Sequence, residues 1–140
     1  MKKLLICVSI GLVALGAISC ERDCCTEQQE NDLVGKWLLY ERGWSPGAGY
    51  FIDPVSPVPP QEMEFKNNGE LSCSVEGITD YNFYSVRGDI VGLFKDDPGP
   101  SPDSLAFTYS YLFRFNDGNL ELWFRYCDEG CHLAFKQVER

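Results

Sequence analysis

The sequence has little of what catalysis or nucleic-acid binding requires. It contains one histidine, no G-x-S-x-G pattern, and 12 basic against 21 acidic residues, which gives a formal net charge of −9 over 140 residues. Any serine or cysteine nucleophile would depend on His132 as its base. An acidic surface repels the phosphate backbone of nucleic acids. We therefore expect neither an enzyme nor a nucleic-acid-binding protein.

The cysteines and the histidine are not spaced for a metal or haem centre. Cys127, Cys131 and His132 differ from the C-x-x-C-H pattern of haem attachment, because three residues separate the two cysteines. A zinc site would need a distant fourth ligand, and a disulfide would compete for both thiols. No metal, cofactor or catalytic residue is predicted.

Residues 1–19 have the composition of a secretory signal peptide. A basic start, Met1-Lys2-Lys3, precedes the apolar run Leu4–Ala17, which is shorter than the roughly 20 residues of a membrane-spanning helix. The segment ends in Gly16-Ala17-Ile18-Ser19-Cys20. This ending resembles the lipobox of bacterial lipoproteins, in which the cysteine is acylated. The resemblance implies a lipid on Cys20 that anchors the protein in the bacterial cell envelope. We expect the outer membrane and leave open whether the periplasmic or the surface face is used.

The next segment differs from both the signal and the rest of the chain. Residues 20–32, CERDCCTEQQEND, have no apolar periodicity and carry many charged and amide side chains. Such a composition is typical of a flexible, solvated spacer. We predict an acidic tether over 20–32 and a folded domain over 33–140.

The folded domain shows a period of two, in which apolar residues alternate with polar ones in short runs separated by turn residues. The pattern predicts strands at Leu33–Arg42, Glu62–Lys66, Glu70–Val75, Tyr81–Val86, Asp89–Phe94, Ser104–Phe115, Asn119–Tyr126 and His132–Glu139. In the first of them Leu33, Gly35, Trp37 and Leu39 should point inward. Eight up-and-down strands can close into a small barrel, which removes exposed edges. We therefore predict an all-β fold, a small eight-stranded antiparallel up-and-down barrel.

One hairpin allows its register to be predicted. With Asp117-Gly118 as a two-residue type I′ turn, Tyr109, Tyr111, Phe113 and Phe115 on one strand lie opposite Tyr126, Phe124, Leu122 and Leu120 on the other. Arg114 then lies opposite Glu121 on the second face. One face is apolar and the other carries an ion pair, as a half-buried sheet requires.

Two proline-rich segments interrupt the strands. Gly43–Gln61 contains five prolines and three glycines, and Lys95–Asp103 is a shorter loop. Loops on a rigid β scaffold often carry binding functions. Trp44, Tyr50 and Phe51 give the longer segment much apolar surface, so we expect it to take part in function.

Several segments together resemble a known family. Asn31-Asp32-Leu33-Val34-Gly35-Lys36-Trp37 carries the G-x-W pattern that begins the first strand of lipocalins. Later segments, at 64–71, 118–122 and 131–136, resemble small lipocalin-like lipoproteins of Bacteroidetes-type bacteria. The resemblance implies a lipocalin-like barrel in which Trp37 packs across the closed end, and it covers nearly all of 33–140.

These observations lead to two functional hypotheses. The first is a non-enzymatic, membrane-anchored lipoprotein that binds a small apolar or amphipathic ligand in the barrel mouth. Its candidate ligand-binding residues are Trp37, Trp44, Tyr50, Phe51, Tyr109, Tyr111 and Phe124. The alternative is an accessory lipoprotein with a filled barrel, whose long loops dock on an outer-membrane protein.

Cysteine pairing is only partly predictable. In an oxidising compartment Cys127 and Cys131 are the easiest pair, since they flank a short loop containing a glycine. Pairing them directly across two strands, however, conflicts with the hydrophobic pattern, which places Leu133 and Phe135 inward. Either a bulge corrects the register or the disulfide is a different one. The partners of Cys24, Cys25 and Cys73 stay open.

Overall fold

The computed structural model describes residues 32–99, 109–127 and 130–139. Within them, one antiparallel sheet contains β1 (Gly35–Trp44), β2 (Phe51–Pro54), β3 (Glu62–Phe65), β4 (Leu71–Cys73), β5 (Phe83–Arg87), β6 (Ile90–Phe94), β7 (Ser110–Asn116), β8 (Asn119–Phe124) and β9 (Cys131–Glu139). The predicted signal peptide, the predicted acylation site Cys20, the tether as far as residue 31, and Cys24 and Cys25 lie outside the described residues. In the described ranges, no helix has the length and apolar character needed to span a membrane.

The sheet curls into a nearly closed barrel. Its strand order is β4-β3-β1-β9-β8-β7-β6-β5, with β2 attached to β1, so the first and last strands are neighbours. The two ends of this order, β4 and β5, meet at the bridge between Glu70 and Phe83, where the amide of Leu71 donates to the carbonyl of Asn82 at 2.7 Å. The predicted all-β, eight-stranded up-and-down barrel is confirmed.

Alternate residues of the barrel strands fill its interior. Those fully or almost fully buried in one cluster include Trp37, Leu39, Met63, Phe65, Leu71, Tyr84, Val91, Leu93, Tyr111, Phe113, Leu120, Leu122 and Phe135. The positions predicted to point inward in the first strand, Leu33, Gly35, Trp37 and Leu39, are all buried. An eight-stranded barrel is just wide enough for such a filling or for one small ligand, so any cavity must lie where the filling stops.

The β7–β8 hairpin has the predicted register from its turn as far as Tyr111 and Phe124, whereas Tyr126, predicted to lie opposite Tyr109, follows the end of β8 and is 58% exposed. Phe115 pairs with Leu120, Phe113 with Leu122, Tyr111 with Phe124, and Arg114 with Glu121. Asp117 has a φ of 51° and Gly118 of 79°, as a type I′ turn requires at both central residues. The Arg114 Nε donates to the Glu121 carboxylate at 2.6 Å, so the expected ion pair is present.

The long segment Gly43–Gln61, expected to be a loop, contains the additional strand β2. It pairs with the end of β1 from Glu41–Pro54 to Trp44–Phe51. Its proline and glycine content hid this strand, because both residues are rare inside strands. β2 lies off the barrel path, and Phe51 and Ile52 keep 47% and 56% of their surface exposed.

The disulfide between Cys127 and Cys131 is present, with its Cα atoms 5.7 Å apart. The conflict with the hydrophobic pattern is resolved by the register of β8 and β9. Leu133 lies opposite Leu122, and Cys131 lies opposite Phe124, so Cys127 lies beyond the end of β8. The bridge closes a loop and does not join a cross-strand pair. Cys73 is a free, partly buried thiol.

Candidate ligand-binding site at the barrel mouth

The interior filling stops at one end of the barrel and leaves a cavity of about 380 Å³. The end of β1, the beginnings of β7 and β9, and the end of β8 surround it, together with the turn after β4. The lining residues are Arg42, Gly43, Trp44, Asp53, Glu76, Gly77, Ile78, Tyr109, Tyr111, Phe124, Cys131, His132 and Leu133. The volume lies within the range of ligand sites, about 300–1,000 Å³, near its lower limit.

Aromatic rings form much of the cavity wall. The ring of Phe124 lies 5.4 Å from that of Tyr111 and 5.2 Å from that of Tyr109, and Tyr81 stacks on Tyr109 at 4.7 Å. The hydroxyl of Tyr111 donates to that of Tyr109 at 3.3 Å. Burial raises the pKa of Tyr111, and the contact with Tyr109 raises it further. The Tyr111 phenol is therefore neutral at physiological pH, and the aromatic rings form a largely apolar wall.

A β-bulge determines which β1 side chains reach the cavity. Leu39 pairs with Phe135 and Glu41 with Ala134, so Tyr40 is an extra residue on β1. An extra residue reverses the in–out alternation beyond it. Arg42, not Glu41, therefore faces inward beside Leu133, and Gly43 lies beside the outward His132. Sequence periodicity alone does not predict that Arg42 faces inward, because a single inserted residue cannot be recognised in so short a pattern.

Gln61 holds Arg42 in place. The guanidinium Nη2 donates to the Gln61 side-chain carbonyl at 2.7 Å, and the same oxygen accepts the backbone N–H of Glu76 at 3.0 Å. One amide oxygen thus connects β1 to the turn after β4. Arg42 is fixed at the mouth by a neutral partner.

Acidic and aromatic side chains complete the rim. Trp44 donates its indole N–H to the carboxylate of Asp53 at 2.7 Å and stacks on Phe51 at 5.1 Å. Glu76, in the turn after β4, also lines the cavity. The rim therefore carries both signs of charge above an apolar wall.

His132 borders the cavity but belongs to a cluster on the outer wall. Its Nε2–H donates to the Glu41 carboxylate at 3.0 Å, which leaves Nδ1 to pair with the Tyr50 hydroxyl. The imidazole stacks on Trp123 with ring centroids 4.8 Å apart, and the ring of Tyr50 lies 5.8 Å from the imidazole and 6.4 Å from Trp123. A Cβ on Gly43 would overlap both the Tyr50 hydroxyl and the His132 ring. Both ring nitrogens are engaged, so His132 is held as a structural element that fastens the segment before β2 to the barrel.

The structure brings together some of the predicted ligand-binding residues and separates others. Trp44, Tyr109, Tyr111 and Phe124 line the cavity. Tyr50 packs on the outer wall, and Phe51 lies on the outer side of Trp44. Trp37 is buried elsewhere in the barrel, with its indole N–H donated to the Leu33 carbonyl at 2.9 Å and its ring 5.9 Å from Phe115.

The described residues contain no group of three or more histidine, cysteine or acidic side chains arranged to hold a metal ion. No protein-family model, curated protein or solved structure matches the chain. Function is therefore inferred from the geometry of the mouth and of the outer wall.

Proposed function

We propose that this chain is a non-enzymatic, lipocalin-like lipoprotein of the bacterial cell envelope that binds a small apolar or amphipathic molecule in the barrel mouth. The observation that carries the proposal is the cavity of about 380 Å³ at the end of the barrel where Tyr109, Tyr111 and Phe124 form the wall. Ligand sites typically combine an apolar lining with a few polar groups that fix orientation. The mouth has this composition, with Arg42, Asp53 and Glu76 on its rim.

The anchor is proposed from the sequence. A lipid on Cys20 would hold the barrel near a membrane, from which an apolar ligand could be taken up, and each buried methylene of the anchor adds about 0.8 kcal/mol to membrane binding. Labelling of growing cells with radioactive palmitate tests this step. We expect label in the natural chain and in Cys24→Ser, and none in Cys20→Ser; label retained in Cys20→Ser would contradict the anchor.

Ligand binding is tested by filling the cavity. The processed form of the chain, residues 20–140 carrying Cys20→Ser, lacks both the predicted signal peptide and the lipid and is titrated with the neutral apolar probe N-phenylnaphthylamine, excited directly. Leu133 lines the cavity, whereas Leu112 is 41% exposed on the outer face of β7. We expect Leu133→Trp to weaken binding about tenfold or more, which corresponds to about 1.4 kcal/mol. Leu112→Trp is the matched control and should change it little. Equal effects of the two substitutions, or no saturable binding, would contradict the proposal.

A second candidate function, docking on an outer-membrane protein, is favoured by a different observation. Trp44, Tyr50, Phe51 and Ile52 expose 43%, 43%, 47% and 56% of their surface, and exposed apolar patches often mark interaction sites. Phe51 and Ile52 lie outside the cavity, so Phe51→Ser and Ile52→Ser separate the two functions. Loss of a crosslinked envelope protein with unchanged probe binding would favour docking; loss of neither would exclude it for this surface.

A further inference from the structure

Arg42 is the arginine that lines the cavity, and it lacks the carboxylate partner that several other described basic side chains have. Ion pairs with carboxylates are formed by Lys36, Lys66, Lys95 and Arg114, at 2.6–3.0 Å. Arg42 forms none with a described residue, although Asp53 is its direct cross-strand neighbour. Its hydrogen bond goes to the uncharged amide of Gln61. The guanidinium therefore brings to the cavity rim a positive charge that no described carboxylate contacts at ion-pair distance, with several N–H donors to spare.

The location of this charge indicates what it could recognise. Arg42 is only partly exposed and shares the inward face with Leu133, and the wall beneath is built from Tyr111, Phe124 and Ile78. A planar guanidinium binds carboxylates through two parallel hydrogen bonds. We propose that the ligand is an amphiphile with a single carboxylate, whose acid group binds Arg42 while its apolar part occupies the cavity. This inference rests on the proposed function.

The other charges on the rim restrict the class of ligand. The Asp53 carboxylate is occupied by the Trp44 indole N–H, and Glu76 adds a second negative group. Two carboxylates disfavour a ligand with two negative charges, such as a phosphate monoester, because like charges repel at short range. A monocarboxylate satisfies Arg42 with the least repulsion from Asp53 and Glu76.

The test compares three probes that share one alkyl chain: decanoate, decanol and decylamine. Each is titrated by isothermal calorimetry into the processed form, residues 20–140 carrying Cys20→Ser, at neutral pH and below the probe's aggregation concentration. A hydrogen bond in which one partner is charged is roughly twice as strong as one between neutral groups. We therefore expect decanoate to bind roughly tenfold or more tightly than decanol, and decylamine to bind more weakly than decanoate.

Two substitutions act on the charge in different ways. Arg42→Gln removes it, whereas Gln61→Glu keeps Arg42 but supplies a carboxylate at the position that now lies 2.7 Å from the guanidinium. Both should abolish the preference for decanoate over decanol and leave decanol binding nearly unchanged. Gln61→Glu retains an oxygen for the Glu76 amide, so it tests the charge even where Arg42→Gln perturbs folding. Arg87→Gln, at an exposed position outside the cavity, is the control and should keep the preference.

The outcomes separate the two proposals. If decanol and decanoate bind equally, or if decylamine binds best, the carboxylate assignment is wrong while apolar ligand binding stands. If decanoate binds best but Gln61→Glu and Arg42→Gln keep that preference, Arg42 is not the recognition group. If none of the three probes binds, the proposed function and this inference fall together.

Discussion

Gly43 is the position at which the outer-wall cluster can be tested most directly. It lies in β1 beside His132, is buried, and does not have a positive φ. An alanine there therefore meets no backbone penalty. Its Cβ would instead overlap the Tyr50 hydroxyl and the His132 ring. The effect of Gly43→Ala thus measures how firmly these two side chains are held.

The expected cost has two parts. Overpacking of a well-packed site costs about 1–3 kcal/mol, and displacing the Tyr50 hydroxyl from His132 loses a hydrogen bond worth about 0.5–1.5 kcal/mol. We therefore expect Gly43→Ala to lower the free energy of unfolding by on the order of 2–4 kcal/mol. Urea denaturation followed by circular dichroism gives this value directly.

A double-mutant cycle supplies the control. The His132→Ala background removes one of the two groups that block the new methyl group and also removes the partner of the Tyr50 hydroxyl, so the added cost of Gly43→Ala should fall there by about 0.5–3 kcal/mol, the coupling typical of residues in contact. If Gly43→Ala costs the same in both backgrounds, the steric account of the outer wall is wrong.

Two further predictions concern β8 and the loop after it. Burial raises the pKa of the Glu121 carboxyl, but hydrogen bonds from Arg114, Trp123 and Asn116 outweigh this and leave it below its ordinary value. The stability that this group contributes is therefore present above the unfolded pKa of about 4.3 and is lost as the pH falls through the lower folded pKa. Glu121→Gln should flatten the pH dependence of the urea midpoint in that acidic range. An unchanged slope would refute this role of Glu121. Replacing Cys127 and Cys131 together by serine should lower the free energy of unfolding by about 2 kcal/mol, because the loop that the disulfide closes is short; a loss near zero in thermal or urea unfolding would mean that the loop is held by its other contacts.

Much of the barrel was predictable because its signals are local. The β7–β8 register follows from a turn that needs two positive φ values, at Asp117 and Gly118, and from alternation on both faces of the hairpin. A shift by one residue would expose Phe113 and Leu122. The same argument applies to β9. Burial of Leu133 opposite Leu122 sets the register of β8 and β9, and the disulfide forms in the loop beyond this pairing.

The site was less predictable because it depends on non-local geometry. The four-residue strand β2 is specified by pairing with β1 and not by its own composition. The cavity depends on how side chains from several strands pack together, and no single residue type in the sequence indicates it. Trp37, which the G-x-W pattern singles out, lies away from it, and the contribution of Gln61 follows only from contacts with Arg42 and Glu76.

The bulge at Tyr40 determines both the inner and the outer site. Without it, period two would turn Gly43 inward and Arg42 outward. The mouth would then lose its guanidinium, and the outer wall would lose the gap beside His132 that Tyr50 occupies. One inserted residue therefore gives β1 a charged group facing the cavity and, at the next position, a glycine facing His132 and Tyr50, the residue before β2. Because Arg42 and Gly43 are adjacent on one strand, a substitution of Tyr50 should alter ligand affinity even though Tyr50 does not line the cavity.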